Sequence, residues 1–176
     1  MENSDSLGIT RSWQRPEPGM VKCNVHANWR NEGSLVGGAW ISRDHQGNVL
    51  HHARDAFTSS PNRLAAELRC TIWALQSLKD LGYNNVIIGL DLKTAFQAIS
   101  NAKLWPRYRH LLSQFDHLRR GFICVRFEHE STASNVIAHD IAQSVLRDGI
   151  LRSYLALGGP AWLHNRIRNE ASNVNC

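Results

Sequence analysis

The spacing of apolar residues changes along this chain, and the change restricts the folds that it can adopt. Residues 21–27 alternate between apolar and polar side chains, which predicts a strand with one buried face. Further along, apolar residues recur at helical spacing, at Leu64, Leu68, Ile72, Leu75 and Leu78. That spacing predicts a helix packed on a sheet, so an α/β fold is expected.

The remaining elements are predicted from the same patterns and from the turn residues between them. Strands are expected at residues 21–27, 37–43, 49–57, 85–90 and 122–127. Helices are expected at residues 64–81, 93–100, 106–120 and 135–147, with Ser134 as the N-cap of the last one. The apolar run 85–90 is typical of a central strand covered on both faces. The order β-β-β-α-β-α-α-β-α predicts a mixed five-stranded sheet with packed helices.

Length and composition predict one domain at residues 20–148, between an N-terminal lead-in at 1–19 and a C-terminal tail at 149–176. Hydrophobic residues make up 43% of the chain, which excludes global disorder. No apolar stretch is long enough to cross a membrane, and residues 1–6 do not resemble a secretory signal. The four cysteines are scattered, which favours reduced thiols. We therefore expect a cytoplasmic or nuclear protein that is not secreted.

Two carboxylates are predicted to lie at one edge of the sheet. Asp91 directly follows the run 85–90, and sites collect at the carboxyl ends of such strands, although a helix N-cap is the alternative role. Glu67 lies at the margin of the helix face that packs on the sheet, where a carboxylate needs a partner or a cation. Alternatively, the Glu67 side chain extends into solvent or pairs with Arg63. Together the two carboxylates predict a magnesium site.

Several short motifs occur in order along the chain. They are Trp13-x-x-Pro16-x-x-Gly19-x-x-Lys22-x-Asn24-Val25, Gly37-Gly38-Ala39-Trp40-Ile41-x-Arg43-Asp44-x-x-Gly47, Ala66-Glu67-Leu68, Asn135-x-x-Ala138-x-x-Ile141-Ala142 and Gly158-Gly159-Pro160-x-Trp162-Leu163. With these motifs, the chain resembles the ribonuclease H domain, in the reverse-transcriptase-associated form found in plant retroelements and their domesticated relatives. The resemblance covers Trp13 to about Leu163 and implies a ribonuclease H-like fold.

The resemblance also implies a chemistry: hydrolysis of the RNA strand of an RNA–DNA hybrid by two Mg²⁺ (or Mn²⁺) ions that four acids bind. Two of those acids are present, as Glu67 and Asp91, and these are the expected metal ligands. The other two family positions fall on His26 and His139. Asp140 is an alternative third acid, because helical periodicity does not distinguish it from its neighbour.

The two histidines change the expected function. Two carboxylates carry too little charge for two Mg²⁺ ions, and imidazole is a poor magnesium ligand, so hydrolysis is predicted to be weak or absent. The leading prediction is thus a nucleic-acid-binding ribonuclease H-like domain with an eroded catalytic centre. The alternatives are an active hybrid ribonuclease that uses Glu67, Asp91 and Asp140, and a protein-interaction module that keeps only the fold. Zinc bound by His26, Glu67, Asp91 and His139 is an alternative to magnesium.

A basic segment suggests where nucleic acid would bind. Lys103, Arg107 and Arg109 are interleaved with Trp105 and Tyr108, a pattern that suits phosphate contact and base stacking, although a solvated helix face is the alternative. The net charge of +5 is compatible with a polyanionic partner. The resemblance adds Asn28, where the family backbone approaches the RNA strand. RNA–DNA hybrid or RNA is therefore the expected partner.

Overall fold

The structure, a computed structural model, describes residues 12–149 and 151–173, which form six strands and five α-helices. The strands are β1 (Val21–Asn28), β2 (Val36–Arg43), β3 (Val49–Phe57), β4 (Asn85–Leu90), β5 (Cys124–His129) and β6 (Tyr154–Leu157). The helices are α1 (Arg63–Asp80), α2 (Lys93–Ser100), α3 (Arg109–Arg119), α4 (Val136–Arg147) and α5 (His164–Ser172). Residues 1–11 of the predicted lead-in and Cys176 lie outside the described residues. Cys23, Cys70 and Cys124 are free thiols, as predicted.

The six strands form one mixed sheet in the order β5-β4-β1-β2-β3-β6. The β1, β2 and β3 strands form the predicted antiparallel meander, whereas β4 pairs in parallel with both β1 and β5. In the β1–β4 pair, Val25 lies opposite Leu90. The residues that follow these two, His26 and Asp91, therefore emerge at the same edge of the sheet.

Helices cover both faces of the sheet, as an α/β fold requires. The α1, α2 and α3 helices contribute to the hydrophobic core on one face, and α4 packs on the other. Neighbouring residues of β2 belong to the cores on opposite faces of the sheet. Trp40 lies in the core beside α1, α2 and α3, and Ile41 lies in the core beside α4. A side chain in place of Gly37 would collide with the carbonyl oxygen of Ala142 in α4. The glycine at this position of β2 therefore allows α4 to approach the sheet closely.

The α1 helix carries Glu67. It begins after Asn62, whose side-chain oxygen accepts a hydrogen bond from the Ala65 amide at 2.8 Å. It ends at Asp80, with Leu81 as the C-cap, and Gly82 then takes the left-handed conformation with φ of +83°. Among the described residues, no helix is long and apolar enough to cross a membrane.

The prediction of five strands is wrong, because residues 154–157 of the predicted tail form β6 and pair with β3. The α5 helix also packs on the domain: Arg43 Nη1 in β2 lies 2.5 Å from Glu170 Oε2. Arg15 of the lead-in donates to the backbone oxygen of Ala171 at 2.9 Å, so the lead-in contacts the end of α5. The β6 strand has four residues and pairs with a strand about a hundred residues earlier in the chain. Its own apolar periodicity is therefore too weak to predict it.

Three predicted boundaries also differ from the structure. Ser134 is not the N-cap of α4: its hydroxyl donates to Glu130 Oε2 at 2.7 Å, and Asn135 takes the N-cap position. The α3 helix begins at Arg109 after a short 3-10 turn at Pro106–Tyr108, and β5 begins at Cys124.

Candidate active site and nucleic-acid interface

His26, Glu67 and Asp91 converge at the edge of the sheet where β1 and β4 end. Their ligand atoms all lie within 4.8 Å of one another. Glu67 is 0% exposed, because α1 lies over β1 and directs this side chain onto the sheet. Glu67 therefore does not extend into solvent. Asp91 does not cap α2, whose N-cap position is taken by Leu92. The structure thus brings together the two predicted metal ligands and one of the two substituting histidines.

The imidazole of His26 lies between the two carboxylates. Its Nδ1 atom is 3.1 Å from Asp91 Oδ1 and 3.7 Å from Glu67 Oε1. Glu67 Oε1 also accepts a hydrogen bond from the Ala27 amide at 3.2 Å. The other oxygen, Glu67 Oε2, is buried and has no hydrogen-bond partner among the described residues. One carboxylate oxygen of the cluster is thus unsatisfied.

The three side chains shift one another's pKa values. Burial raises the pKa of Glu67 to about 7, and the charge of His26 opposes part of that rise. Burial alone would lower the pKa of His26, but the hydrogen bond to Asp91 and the charges of both carboxylates raise it above its ordinary value. Burial alone would raise the pKa of Asp91, but the hydrogen bond and charge of His26 lower it. The imidazolium form of His26 is therefore favoured as an internal counter-ion.

A chain of buried hydrogen bonds supports this cluster from behind. Trp13 Nε1 donates to Asn24 Oδ1 at 3.0 Å, and Asn24 Nδ2 donates to Asn135 Oδ1 at 2.9 Å. Asn135 Nδ2 in turn donates to the Val25 carbonyl at 3.0 Å, and its side chain also hydrogen-bonds Asp91. The motifs in the sequence contain these residues, but their spacing alone did not reveal that they position Asp91.

His139, and not Asp140, faces the cluster from α4. The His139 ring lies 4.8 Å from the His26 ring, centroid to centroid, at a tilt of 54°. The Asp140 carboxylate forms an ion pair with Arg166 of α5 and lies 3.4 Å from His139 Nδ1. The structure therefore does not place Asp140 with Glu67 and Asp91 as a third acid. Arg166 belongs to the predicted C-terminal tail, to which the sequence assigned no helix, so the sequence offered no reason to pair it with Asp140.

A cleft of about 360 Å³ opens over the cluster. Its walls come from β1, α1, the end of β4 and the region of α4, and the lining residues are His26, Ala27, Asn28, Trp29, Arg63, Asp91, Thr132 and His139. Within the described chain, Asn28 Nδ2 is buried without a hydrogen-bond partner. Arg63 and Thr132 line the cleft although sequence analysis gave neither of them a site role. Arg63 stands one helical turn before Glu67, a spacing that could have indicated it.

The predicted basic segment lies next to the start of α1. Lys103, Arg107 and Arg109 are all exposed. Tyr108 Oη accepts a hydrogen bond from Asn62 Nδ2 at 3.0 Å, and Asn62 caps the helix that carries Glu67. This contact anchors the basic segment to the element that forms one wall of the cleft.

The sequence profile of the reverse transcriptase-like family matches residues 24–145. The chain belongs to this family. The match spans β1 to α4, and it confirms the resemblance to a ribonuclease H domain of the reverse-transcriptase-associated type.

Solved ribonuclease H structures share the fold of this reverse transcriptase-like domain. RNase H1 from Halobacterium salinarum NRC-1 has a TM-score of 0.67 at 21% identity, covering 74% of this chain and 99% of that one. The N-terminal RNase H domain of a Mycobacterium tuberculosis protein has a TM-score of 0.62 at 22% identity, covering 71% of this chain and 97% of that one. LC11-RNase H1, solved in complex with an RNA/DNA hybrid, has a TM-score of 0.66 at 15% identity, covering 74% of this chain and 99% of that one. At these identities the likeness shows the fold.

One further similarity concerns a short segment. A stretch of 40 residues is 60% identical to protein phosphatase 2C-like protein 45 of Arabidopsis thaliana. It covers 23% of the reverse transcriptase-like chain and 16% of the Arabidopsis protein. The chain therefore spans about a sixth of the length of that curated relative.

The donor atoms of the reverse transcriptase-like site do not fit a pair of magnesium ions. Each Mg²⁺ requires near-octahedral coordination dominated by oxygen, usually through carboxylates. Here the cluster offers two carboxylates, and the His26 nitrogen lies between them. In donor type the set fits a single ion that accepts both nitrogen and oxygen.

Proposed function

We propose that this ribonuclease H-like domain binds RNA–DNA hybrid or RNA and hydrolyses it weakly or not at all. One observation carries the proposal: His26 Nδ1 lies 3.1 Å from Asp91 and 3.7 Å from Glu67, between the two remaining acids. A nitrogen donor thus lies between the two acids, where a pair of Mg²⁺ ions would need oxygen ligands.

Hydrolysis by two metal ions needs both ions about 4 Å apart, one to activate water and one to stabilise the leaving oxygen. An imidazolium in the cluster repels an approaching cation by roughly 4 kcal/mol per unit charge at 4 Å, for an effective dielectric constant near 20. The two carboxylates that are present, Glu67 and Asp91, offset less of this repulsion than the four acids that the resemblance implies. Each 1.4 kcal/mol of lost transition-state stabilisation lowers the rate about tenfold.

The surroundings of the cluster still suit a nucleic-acid strand. Asn28 and Arg63 line the cleft, and the buried Asn28 Nδ2 atom has no hydrogen-bond partner in the described part of the chain. Beside it, Lys103, Arg107 and Arg109 are exposed on an anchored segment, and such side chains neutralise phosphates. The shared fold with LC11-RNase H1, which was solved with an RNA/DNA hybrid, supports the hybrid as the first ligand to test.

The test combines binding and cleavage on one labelled substrate. We expect the purified chain to bind an RNA–DNA hybrid more tightly than a DNA duplex of the same sequence, with affinity that falls as salt rises. With Mg²⁺ or Mn²⁺ added, we expect no more cleavage than the Glu67→Gln variant gives. Robust cleavage that Glu67→Gln abolishes would instead establish an active hybrid ribonuclease with a divergent site. Absence of binding to every nucleic acid would favour the protein-interaction module.

A further inference from the structure

We propose that His26, Glu67 and Asp91 form a three-ligand site for one borderline transition-metal ion, with Zn²⁺ as its representative. This site differs from a magnesium pair in metal number and in ligand chemistry. It does not depend on nucleic-acid binding, so the proposed function and this inference can fail separately.

The donor types select the metal. Zn²⁺ binds imidazole nitrogen and carboxylate oxygen at about 2.0–2.2 Å, and it is satisfied by three protein ligands and one water. Mg²⁺ prefers oxygen and keeps several waters, so an imidazole nitrogen among the donors selects against it. The cluster offers one nitrogen donor and two carboxylates.

The spacing of the donor atoms also suits one ion. Bonds of about 2 Å place neighbouring ligands of a tetrahedral ion roughly 3–4 Å apart. His26 Nδ1 already lies 3.1 Å from Asp91 Oδ1 and 3.7 Å from Glu67 Oε1. The same nitrogen faces both carboxylates, so an ion can replace the proton that Nδ1 shares with Asp91 while the three side chains keep their orientations.

An unsatisfied atom points to a missing cation. Glu67 is fully buried, and its Oε2 atom has no hydrogen-bond partner within the described residues. A buried oxygen without a partner costs about 1–3 kcal/mol, and more when it is charged. A metal ion that contacts both oxygens of Glu67 would remove that cost, whereas His26, whose Nδ1 faces Oε1, leaves it in place.

Groups behind the ligands fix their orientation, as they do in established metal sites. The Ala27 amide donates to Glu67 Oε1 at 3.2 Å, and Asn135 hydrogen-bonds Asp91. His26 and Asp91 line the open cleft, which gives the ion a path from solvent and room for a water ligand. His139 is not one of the residues whose ligand atoms all lie within 4.8 Å of one another, and its Nδ1 lies 3.4 Å from Asp140 Oδ1.

The experiment uses the full chain after removal of metal with a chelator. Calorimetry with Zn²⁺ is expected to show one tight site per chain, and Co²⁺ is expected to give visible d–d absorption without a thiolate charge-transfer band. His26→Ala should weaken Zn²⁺ binding at least about tenfold. The matched control is His45→Ala, an exposed histidine in the turn between β2 and β3, which should bind like the unmodified chain. About a 100-fold excess of Mg²⁺ should not displace Zn²⁺.

Three results would overturn the proposal: no heat with Zn²⁺, equal affinity in the unmodified chain and His26→Ala, or a thiolate band with Co²⁺. Displacement by Mg²⁺ would likewise contradict it. If circular dichroism shows that His26→Ala is unfolded, Glu67→Gln replaces it, and retention of full affinity in that variant would overturn the proposal equally. Zinc binding without any nucleic-acid binding would support this inference and contradict the proposed function.

Discussion

His26 Nδ1 lies 3.1 Å from Asp91 Oδ1, where two neighbouring parallel strands end. The contact follows from the register of the sheet, because the residues before them, Val25 and Leu90, are paired across β1 and β4. A substitution at position 26 therefore acts directly on Asp91. His26 places a base where the resemblance to the ribonuclease H family implies an acid, so the local charge is opposite in sign to the one that the family implies.

Restoring both family acids should restore catalysis. We expect the double variant His26→Asp, His139→Asp to cleave the RNA strand of a hybrid in Mg²⁺ at least about tenfold faster than the unmodified chain, since four carboxylates can bind two cations. Cleavage of a labelled hybrid measures this. The same double variant with Glu67→Gln is the control and should not cleave. A double variant that folds and binds hybrid but does not cleave it would show that the absence of acids at positions 26 and 139 does not explain weak cleavage by the unmodified chain.

The single variant His26→Asp tests the internal counter-ion. Without metal it places a third carboxylate beside Glu67 and Asp91, and we expect a lower Tm and a loss of about 3 kcal/mol in the free energy of unfolding. Mg²⁺ should recover much of that loss in the variant while leaving the unmodified chain unchanged. The exposed substitution His45→Asp is the control. An unaltered Tm in chelator would contradict the counter-ion role.

The basic segment should determine the salt dependence of nucleic-acid binding. Each lost phosphate contact lowers the slope of log K against log salt by about 0.7–0.9, so replacing Lys103, Arg107 and Arg109 with alanine should lower it by roughly 2. Fluorescence anisotropy over a salt series measures the slope. Alanine at Arg152 and Arg168, exposed residues near β6 and in α5, should leave it unchanged. Equal slopes in both variants would place the interface elsewhere.

His52 should make the attachment of β6 sensitive to pH. Its Nδ1 lies 2.5 Å from the Gly158 carbonyl and its Nε2 lies 3.2 Å from Tyr154 Oη, and burial lowers its pKa below the ordinary 6.5. Below that ordinary value the unfolded chain binds a proton that the folded chain excludes, so stability falls as the pH falls.

The variant His52→Asn removes this titration. The Tm advantage of the unmodified chain over the variant should therefore shrink between about pH 7.5 and about pH 5.5. Other titrating groups, including His26, are present in both proteins and cancel in the difference. A Tm difference that stays constant with pH would contradict the assignment.

Glu170 should stabilise the whole domain although it lies near the end of the chain. Arg43 is buried, stacks 3.8 Å from the Trp13 ring centroid and pairs with Glu170 Oε2 at 2.5 Å. Because Glu170→Ala would leave this guanidinium buried without its carboxylate, we expect a loss of about 3 kcal/mol in denaturant unfolding. Glu32→Ala, an exposed acid in the turn before β2, should cost far less. Equal losses would mean that α5 contributes little to stability.

Much of the fold could be predicted because its signals are local. The alternation in β1, the helical spacing in α1 and the apolar run of β4 each follow from a few neighbouring residues. The β6 strand could not be predicted, because it has four residues, lies at the sheet edge and depends on pairing with β3. The N-cap of α4 was predicted at Ser134, one residue too early, because the Ser134 hydroxyl donates to Glu130 in the preceding turn and Asn135 takes the N-cap position.

In the candidate site, too, some features could be predicted from the sequence and others could not. Glu67 and Asp91 could be predicted because an acid on a core-facing helix position and an acid after a buried strand are each unusual. The choice between His139 and Asp140 could not be made, because Arg166 of α5 determines where the aspartate points. The position of His26 between both acids likewise depends on strand register, which short-range patterns do not specify.

The contact between Arg15 and Ala171 has a consequence for how the domain can be connected. It holds the segment before β1 against the end of α5 on one surface of the fold. Two segments that lie side by side can be joined by a short linker without separating the elements that follow or precede them. A linker between residues 15 and 171 would therefore leave the order of the strands in the sheet unchanged.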